Sequence, residues 1–176
     1  MTSMDGGPAH AVNAWRDGWY VVPWQVTFRD VDSFGHVNNA VYFTYFEWAR
    51  TQLWFAITGG SEPRDIGFIV ARAECDFKQQ IGMEPIEVLV RIDAMRSTSV
   101  DFIYEIRKTG KAAEIDARGF KSSSGSIIEG GRDARGPGAL AATGRVVVVL
   151  FDWSSQSKIA VSNELRHRVR MLQREE

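Results

Sequence analysis

The 176-residue chain predicts an α+β domain in which an antiparallel β-sheet wraps around one long buried helix. Three observations lead there. The segment from Ala40 to Ile57 is apolar on nearly every side, which in a soluble chain marks a helix enclosed by other elements. Stretches of strict apolar–polar alternation, the mark of half-buried strands, stand on both sides of it. The order is one strand, the helix, then four strands, and a sheet curled around a helix satisfies that order.

Residues 1–16 carry no apolar core and no basic flank, so they read as a flexible tail and not as a signal peptide. The single domain is expected over residues 17–176. From Trp19 to Arg29, Tyr20, Val22, Trp24, Val26 and Phe28 share one strand face, and Gln25, Thr27 and Arg29 share the other. Pro23 lacks a ladder donor, which puts the first half of this strand at a sheet edge. The helix starts after Asn38 or Asn39, either of which can accept an orphan backbone N–H. It runs to about Thr58, where Gly59 and Gly60 supply a left-handed stop.

Four strands follow. Ile69, Ala71, Ala73, Cys75 and Phe77 alternate with charged residues. Ile86, Val88, Val90 and Ile92 share a face, as do Val100, Phe102, Tyr104 and Ile106. The segment from Gly144 to Trp153, "GRVVVVLFDW", is apolar on both faces and therefore central. A short surface helix is expected from Asn163. Residues 110–140 are rich in Gly, Ser, Ala and Arg and break this rhythm, so they read as an insertion at a hairpin tip.

Composition narrows the function classes. Apolar content of 44% and charged content of 24% are those of a globular protein. A net charge of −1 provides no global field for nucleic acid or an anionic membrane, and neither partner is expected. Ala40–Ile57 carries Glu47 and Arg50, so it is not a membrane span. Cys75 is the single cysteine, which excludes an intrachain disulfide and fits a reducing compartment; a cytoplasmic location is expected.

Chemistry concentrates in "RDVDSFGHVNNAVYFTYFEWAR", from Arg29 to Arg50. Read from the residues alone, Asp30 and Asp32 are turn formers, and Asn38 and Asn39 are caps. Glu47 and Arg50, one turn apart, are a possible ion pair. The other reading is an active site at a helix N-terminus, where orphan N–H groups and the helix dipole favour a developing negative charge.

The stretch Asp30, Asp32, Gly35, His36, Val37, Asn38, Asn39, Tyr42, Tyr45, Glu47, Ala49 and Arg50 resembles the signature of hotdog-fold thioesterases, the 4-hydroxybenzoyl-CoA thioesterase-like group in particular. Every fixed position of that pattern is present. The resemblance covers Trp19 to about Lys108 and then Leu140 to the last helix. It implies an acyl-CoA thioesterase, a thioester hydrolase in which Asp32 is nucleophile or general base. It also implies that the backbone N–H of Asn39 polarises the thioester carbonyl. Gly35 allows a tight turn and close passage of substrate. His36 orients Asp32 or bonds near the thioester, and Asp30 is structural. Plant acyl-carrier-protein thioesterases look similar here but carry Asn where this chain has Phe34, which favours the bacterial acyl-CoA type.

Phe34, Tyr42 and Tyr45 are the candidate substrate contacts. The many other aromatic residues of the helix either line a pocket or fill the core. Cations for coenzyme A phosphates would come from Arg72, Arg91, Arg96, Arg107 or Lys108. No metal-ligand cluster is visible, and no metal or organic cofactor is expected. The resemblance further implies a homodimer or homotetramer with edge-paired sheets. Two other functions fit the same scaffold: hydrolysis of acyl-carrier-protein thioesters, and a non-catalytic acyl-CoA-binding hotdog module.

Overall fold

A computed structural model describes residues 13–109 and 138–174. In chain order the elements are β1 (Ala14–Arg16), β2 (Trp19–Gln25), α1 (Val41–Thr58), β3 (Phe68–Phe77), β4 (Pro85–Met95), β5 (Ser99–Lys108), β6 (Leu140–Asp152), β7 (Ser157–Lys158) and α2 (Asn163–Leu172). One antiparallel sheet in the order β1-β2-β4-β5-β6-β3 packs against α1, with β7 added beside β6. This is the hotdog fold. Ala14–Arg16, which the sequence places in the tail, forms a short edge strand, and residues 110–137 of the expected insertion lie outside the described residues.

Period-two alternation explains why the sheet curls onto the helix. Ile86, Val88, Val90 and Ile92 of β4 and Val100, Phe102, Tyr104 and Ile106 of β5 are all buried on the helix side. They meet Tyr45, Phe46, Ala49 and Leu53 from α1. A fully buried Phe or Leu contributes about 2–3 kcal/mol against exposure. β6 is internal, between β5 and β3, as its two apolar faces require. It places Gly144 directly under Phe46, where a Cβ would come within 2.4 Å of the ring. That gap lets Phe46 stack on Tyr104 at 4.4 Å between ring centres.

Four local expectations change. The first strand stops at Gln25, because Asp30 Oδ2 accepts from the Thr27 N–H at 2.8 Å and bends the chain into a 3-10 turn over Phe28–Asp30. The edge is the second half of β2 and not the first, since β1 covers Trp19–Val21 and stops before Pro23. The helix is capped by Ala40 without a side-chain bond; Asn38 Oδ1 instead accepts from the Ala40 N–H at 2.9 Å, one step outside the helix. At its far end Gly59 adopts φ 79° and closes on Phe55 O at 2.8 Å.

In β3 a bulge at Ala71 breaks the alternation, and the helix face carries Phe68, Val70, Ala73, Cys75 and Phe77 opposite inward residues of β6. One extra residue reverses the facing of everything before it, so Ile69 points away. The described residues leave one side of α1 open. Phe43 is 39% and Trp48 46% exposed, because a single sheet covers one side of a helix only.

Helix α2 closes the other end of α1. Ser162 Oγ accepts the Leu165 N–H at 3.1 Å, and Leu165 and Val169 are buried. Arg168 donates to Ile57 O at 3.2 Å, supplying one of the orphan carbonyls at the end of α1.

Candidate active site

The chain reaches the tip of α1 through a very short hairpin. Val31 and Val37 form a β-bridge, the Asp32 N–H donates to His36 O at 2.8 Å, and the Gly35 N–H donates to Asp32 O at 3.0 Å. Three residues close the loop, with Gly35 at φ 80°, a left-handed conformation that glycine adopts without a Cβ penalty. The loop is held from below as well. The Val37 N–H donates to Ile81 O at 2.8 Å, and Val37 and Ile81 are buried. The β3–β4 connection is thus part of the site's foundation. Its sequence, Ile81 followed by Gly82, carries no polar signal that would have revealed this.

Asp32 sits half-buried at the start of this loop. Its Oδ1 accepts the Phe34 N–H at 2.8 Å and the His36 N–H at 3.4 Å. Its Oδ2 has no partner among the described residues. The turn role and the chemical role expected for Asp32 are therefore compatible: one oxygen orients the carboxylate and the other is available. The His36 ring makes no hydrogen bond to Asp32; the contact between the two residues is through the backbone.

The N–H of Asn39 likewise has no acceptor among the described residues, whereas Asn38 N–H donates to Asp30 O at 2.8 Å. An unpaired N–H at a helix N-terminus, beside a fixed carboxylate, can polarise a carbonyl oxygen. Asp32, Gly35, His36 and Asn39 are thus brought together by one loop.

Of the three expected substrate contacts, Tyr42 and Tyr45 are neighbours, 6.3 Å between ring centres, and Phe34 stands apart from them. Phe34 stands at the loop tip and is 82% exposed. Tyr42 is buried and meets Phe77 of β3 edge-on at 4.9 Å. Burial, helped by the neighbouring Cys75, pushes its phenol up to about 12. Tyr45 is buried on the β2 side of α1, 5.6 Å from Trp24 between ring centres. Phe77 was not anticipated as a neighbour of the site because the bulge hides its facing. It is 51% exposed, and Val70 on the same face 52%, so an exposed apolar lane runs along the inward side of β3. Cys75 lies along this lane, half-buried, with burial pushing its thiol up to about 11.

Glu47 and Arg50 do not pair. Glu47 is on the exposed side of α1 and Arg50 is buried, with its guanidinium 5.5 Å from the centre of the Phe68 ring and one long bond, 3.4 Å, to the Tyr104 hydroxyl. The expected phosphate ligands are engaged elsewhere on the sheet. Arg72 pairs with Glu74, Arg96 with Asp101, Arg107 with Glu105 and Lys108 with Glu84, while Arg91 lies 4.8 Å from the Trp19 ring centre. Among the described residues no three His, Cys, Asp or Glu side chains cluster as a metal site.

Comparison with known proteins agrees with the fold. The family model described as the thioesterase-like superfamily matches residues 26–169. Among solved structures, a thioesterase from Thermus thermophilus, determined with coenzyme A and zinc, is 25% identical with a TM-score of 0.64, covering 89% of this chain and 94% of its own. A predicted thioesterase from Bacillus stearothermophilus, 18% identical, shares the fold at a TM-score of 0.66 over 88% of this chain and 96% of its own. An uncharacterised Bacillus subtilis protein, YsmA, is 32% identical over 80 residues, which are 45% of this chain and 54% of that protein. The chain thus matches about half the length of that curated relative.

Proposed function

Because the chain belongs to the thioesterase-like superfamily, we propose that it is an acyl-CoA thioesterase, which hydrolyses a thioester to a free carboxylate and coenzyme A. The observation that carries this reading is the state of Asp32: Oδ1 is fixed by two backbone N–H groups, and Oδ2 has no partner among the described residues, on the hairpin that leads into the unpaired N–H of Asn39. The coenzyme A bound to the Thermus thermophilus thioesterase supports the choice of substrate class.

The chemistry follows from the arrangement. The thioester oxygen accepts from the Asn39 N–H, and the dipole of α1 favours the charge that develops there. A single donor of this kind contributes about 3 kcal/mol to the transition state. Asp32 Oδ2 either attacks the carbonyl carbon, giving an anhydride that water then opens, or removes a proton from a water that attacks. In both routes the C–S bond breaks and the thiolate of coenzyme A takes a proton as it leaves. The proposed reaction uses no metal and no organic cofactor, since coenzyme A is part of the substrate.

The two sheet edges differ, and this supports a homodimer. The β1 edge is three residues long. The β3 edge is ten residues long, with no strand on its outer side among the described residues, and borders the open lane. Natural proteins cover or blunt such edges. Pairing β3 with β3 of a second copy covers the edge and the lane together, and brings the two sites to the subunit boundary. Two such dimers can assemble as a homotetramer through the exposed face of α1.

The test is thiol release from short-chain, long-chain and aromatic acyl-CoAs by wild type and Asp32→Asn. The expected result is turnover by wild type and a loss of about a thousandfold or more in the variant, with its melting temperature and oligomer unchanged. Full activity in Asp32→Asn places the chemistry on another residue. Activity on acyl-carrier-protein substrates alone favours the carrier-protein reading, and binding without turnover favours the non-catalytic module.

A further inference from the structure

Tyr45 lies one turn inside α1 and is 1% exposed. Its hydroxyl has no hydrogen-bond partner among the described residues. A buried hydroxyl without a partner costs about 1–3 kcal/mol. The ring cannot easily swing toward solvent, because it is packed between Trp24 and Tyr42. The group acting on the hydroxyl is the Asp30 carboxylate, near enough to act both as a charge and as a weak acceptor, short of full hydrogen-bond geometry; burial first, then that charge and that contact, hold the phenol far above its ordinary range.

Asp30 presents the complementary half. Its Oδ2 accepts the Thr27 N–H at 2.8 Å and the Thr27 hydroxyl at 3.1 Å, while its Oδ1 has no partner among the described residues. Its main-chain oxygen accepts the Asn38 N–H at 2.8 Å. Asp30 therefore ties the end of β2 to the residue before Asn39, across the hairpin that carries Asp32. A buried hydroxyl without a full hydrogen bond and a carboxylate oxygen without a donor thus belong to residues that act on each other. Catalytic hydrogen bonds that are loose in a free enzyme commonly tighten when substrate binds.

We propose that Tyr45 is a positioning residue for Asp32: its hydroxyl closes onto Asp30 Oδ1 and locks the hairpin against the tip of α1. Asp32 and Asn39 then keep a fixed separation, because both hang from backbone that Asp30 holds. This inference rests on the reading of Asp32 as the reacting carboxylate.

The experiment compares wild type, Tyr45→Phe, Asp30→Ala, the double variant and Asp32→Asn. Hydrolysis of hexanoyl-CoA, decanoyl-CoA and 4-hydroxybenzoyl-CoA is followed alongside amide hydrogen exchange. Tyr45→Phe is expected to lower kcat about tenfold or more while KM stays within about twofold, since a misplaced group costs turnover more than binding. Exchange should quicken at the Asp32 and Asn38 amides and stay unchanged at Leu53 and Ile57. In the Asp30→Ala background the same substitution should have no further effect. An unchanged kcat, or an equal rise in exchange throughout α1, overturns the proposal. Additive losses in the double variant also overturn it, by showing that Tyr45 does not act through Asp30. Full activity in Asp32→Asn removes the site reading itself and leaves the exchange data to decide the Tyr45–Asp30 tie. Should no acyl-CoA turn over, the exchange data alone decide: faster exchange confined to Asp32 and Asn38 supports the tie, and unchanged exchange there rejects it.

Discussion

At the scale of single residues, Asp101 shows how a charge can be held inside a sheet. Its carboxylate is completely buried on β5, with Arg145 and Arg96 folded over it. Burial alone would raise its pKa; hydrogen bonds from Arg145 and Arg96 override that and hold it below the ordinary carboxylate range. As pH falls, the unfolded chain therefore takes up the proton first. The site's contribution is complete at neutral pH, starts to fall near the ordinary Asp value of about 4, and is gone once pH passes the folded value. Both arginines are more than a third exposed, so solvent screening keeps the gain modest. Asp101→Asn should lose about 2 kcal/mol in urea at neutral pH. It should also show a shallower fall in stability than wild type between about pH 5 and pH 3. Equal slopes would mean that other carboxylates govern the acid limb. Nothing in the strand pattern distinguishes Asp101 from an ordinary outward-facing acid, since its partners come from the β4–β5 turn and from β6. The loop that gathers Asp32 with Gly35, His36 and Asn39 was more legible. The spacing of Asp32 to Gly35, His36 and the asparagines belongs to a contiguous motif, and a contiguous motif can be read without knowing the fold.

At the scale of elements, legibility followed contiguity again. The faces of β4 and β5 follow directly from alternation, and the left-handed stop of α1 follows from Gly59. The facing of β3 does not, because a single extra residue at Ala71 is invisible to a period of two. The burial of α1 was legible but not what covers its outer face: apolar residues all around a helix say that it is covered, and not by which chain. Gly144 is the element-scale position most sensitive to change. Its Cβ would fall within 2.4 Å of two Phe46 ring atoms and 3.2 Å of Glu74 O, so β6 and α1 must separate or Phe46 must leave Tyr104. Gly144→Ala is expected to cost about 1–3 kcal/mol by urea denaturation, the range of overpacked cores. A second substitution, Phe46→Leu, should recover part of that loss. No recovery would place the strain in the backbone of β6 instead.

At the scale of the whole molecule, the proposed dimer accounts for exposed residues that no described element of one chain covers. Val70 and Phe77 face inward yet are half exposed, which is the pattern of a surface finished by a neighbour. A like charge placed at this edge in both copies should prevent pairing. Val70→Asp is expected to sediment as a monomer under conditions where wild type sediments as a dimer. An unchanged dimer would move the interface to the Phe43 and Trp48 face of α1. No helix among the described residues is long and apolar enough to cross a membrane.

The strand order also has a consequence in time. β2 finds its partner in β4, on the far side of α1 and β3, and β3 must wait for β6, more than sixty residues later by the pairing of Cys75 with Gly144. On the ribosome, α1 is therefore complete long before the sheet that shelters its tyrosines, phenylalanines and tryptophans exists. Chains built from such distant pairings fold slowly and expose sticky surface meanwhile. Nascent chains of this protein should need a holding chaperone until β6 emerges from the exit tunnel.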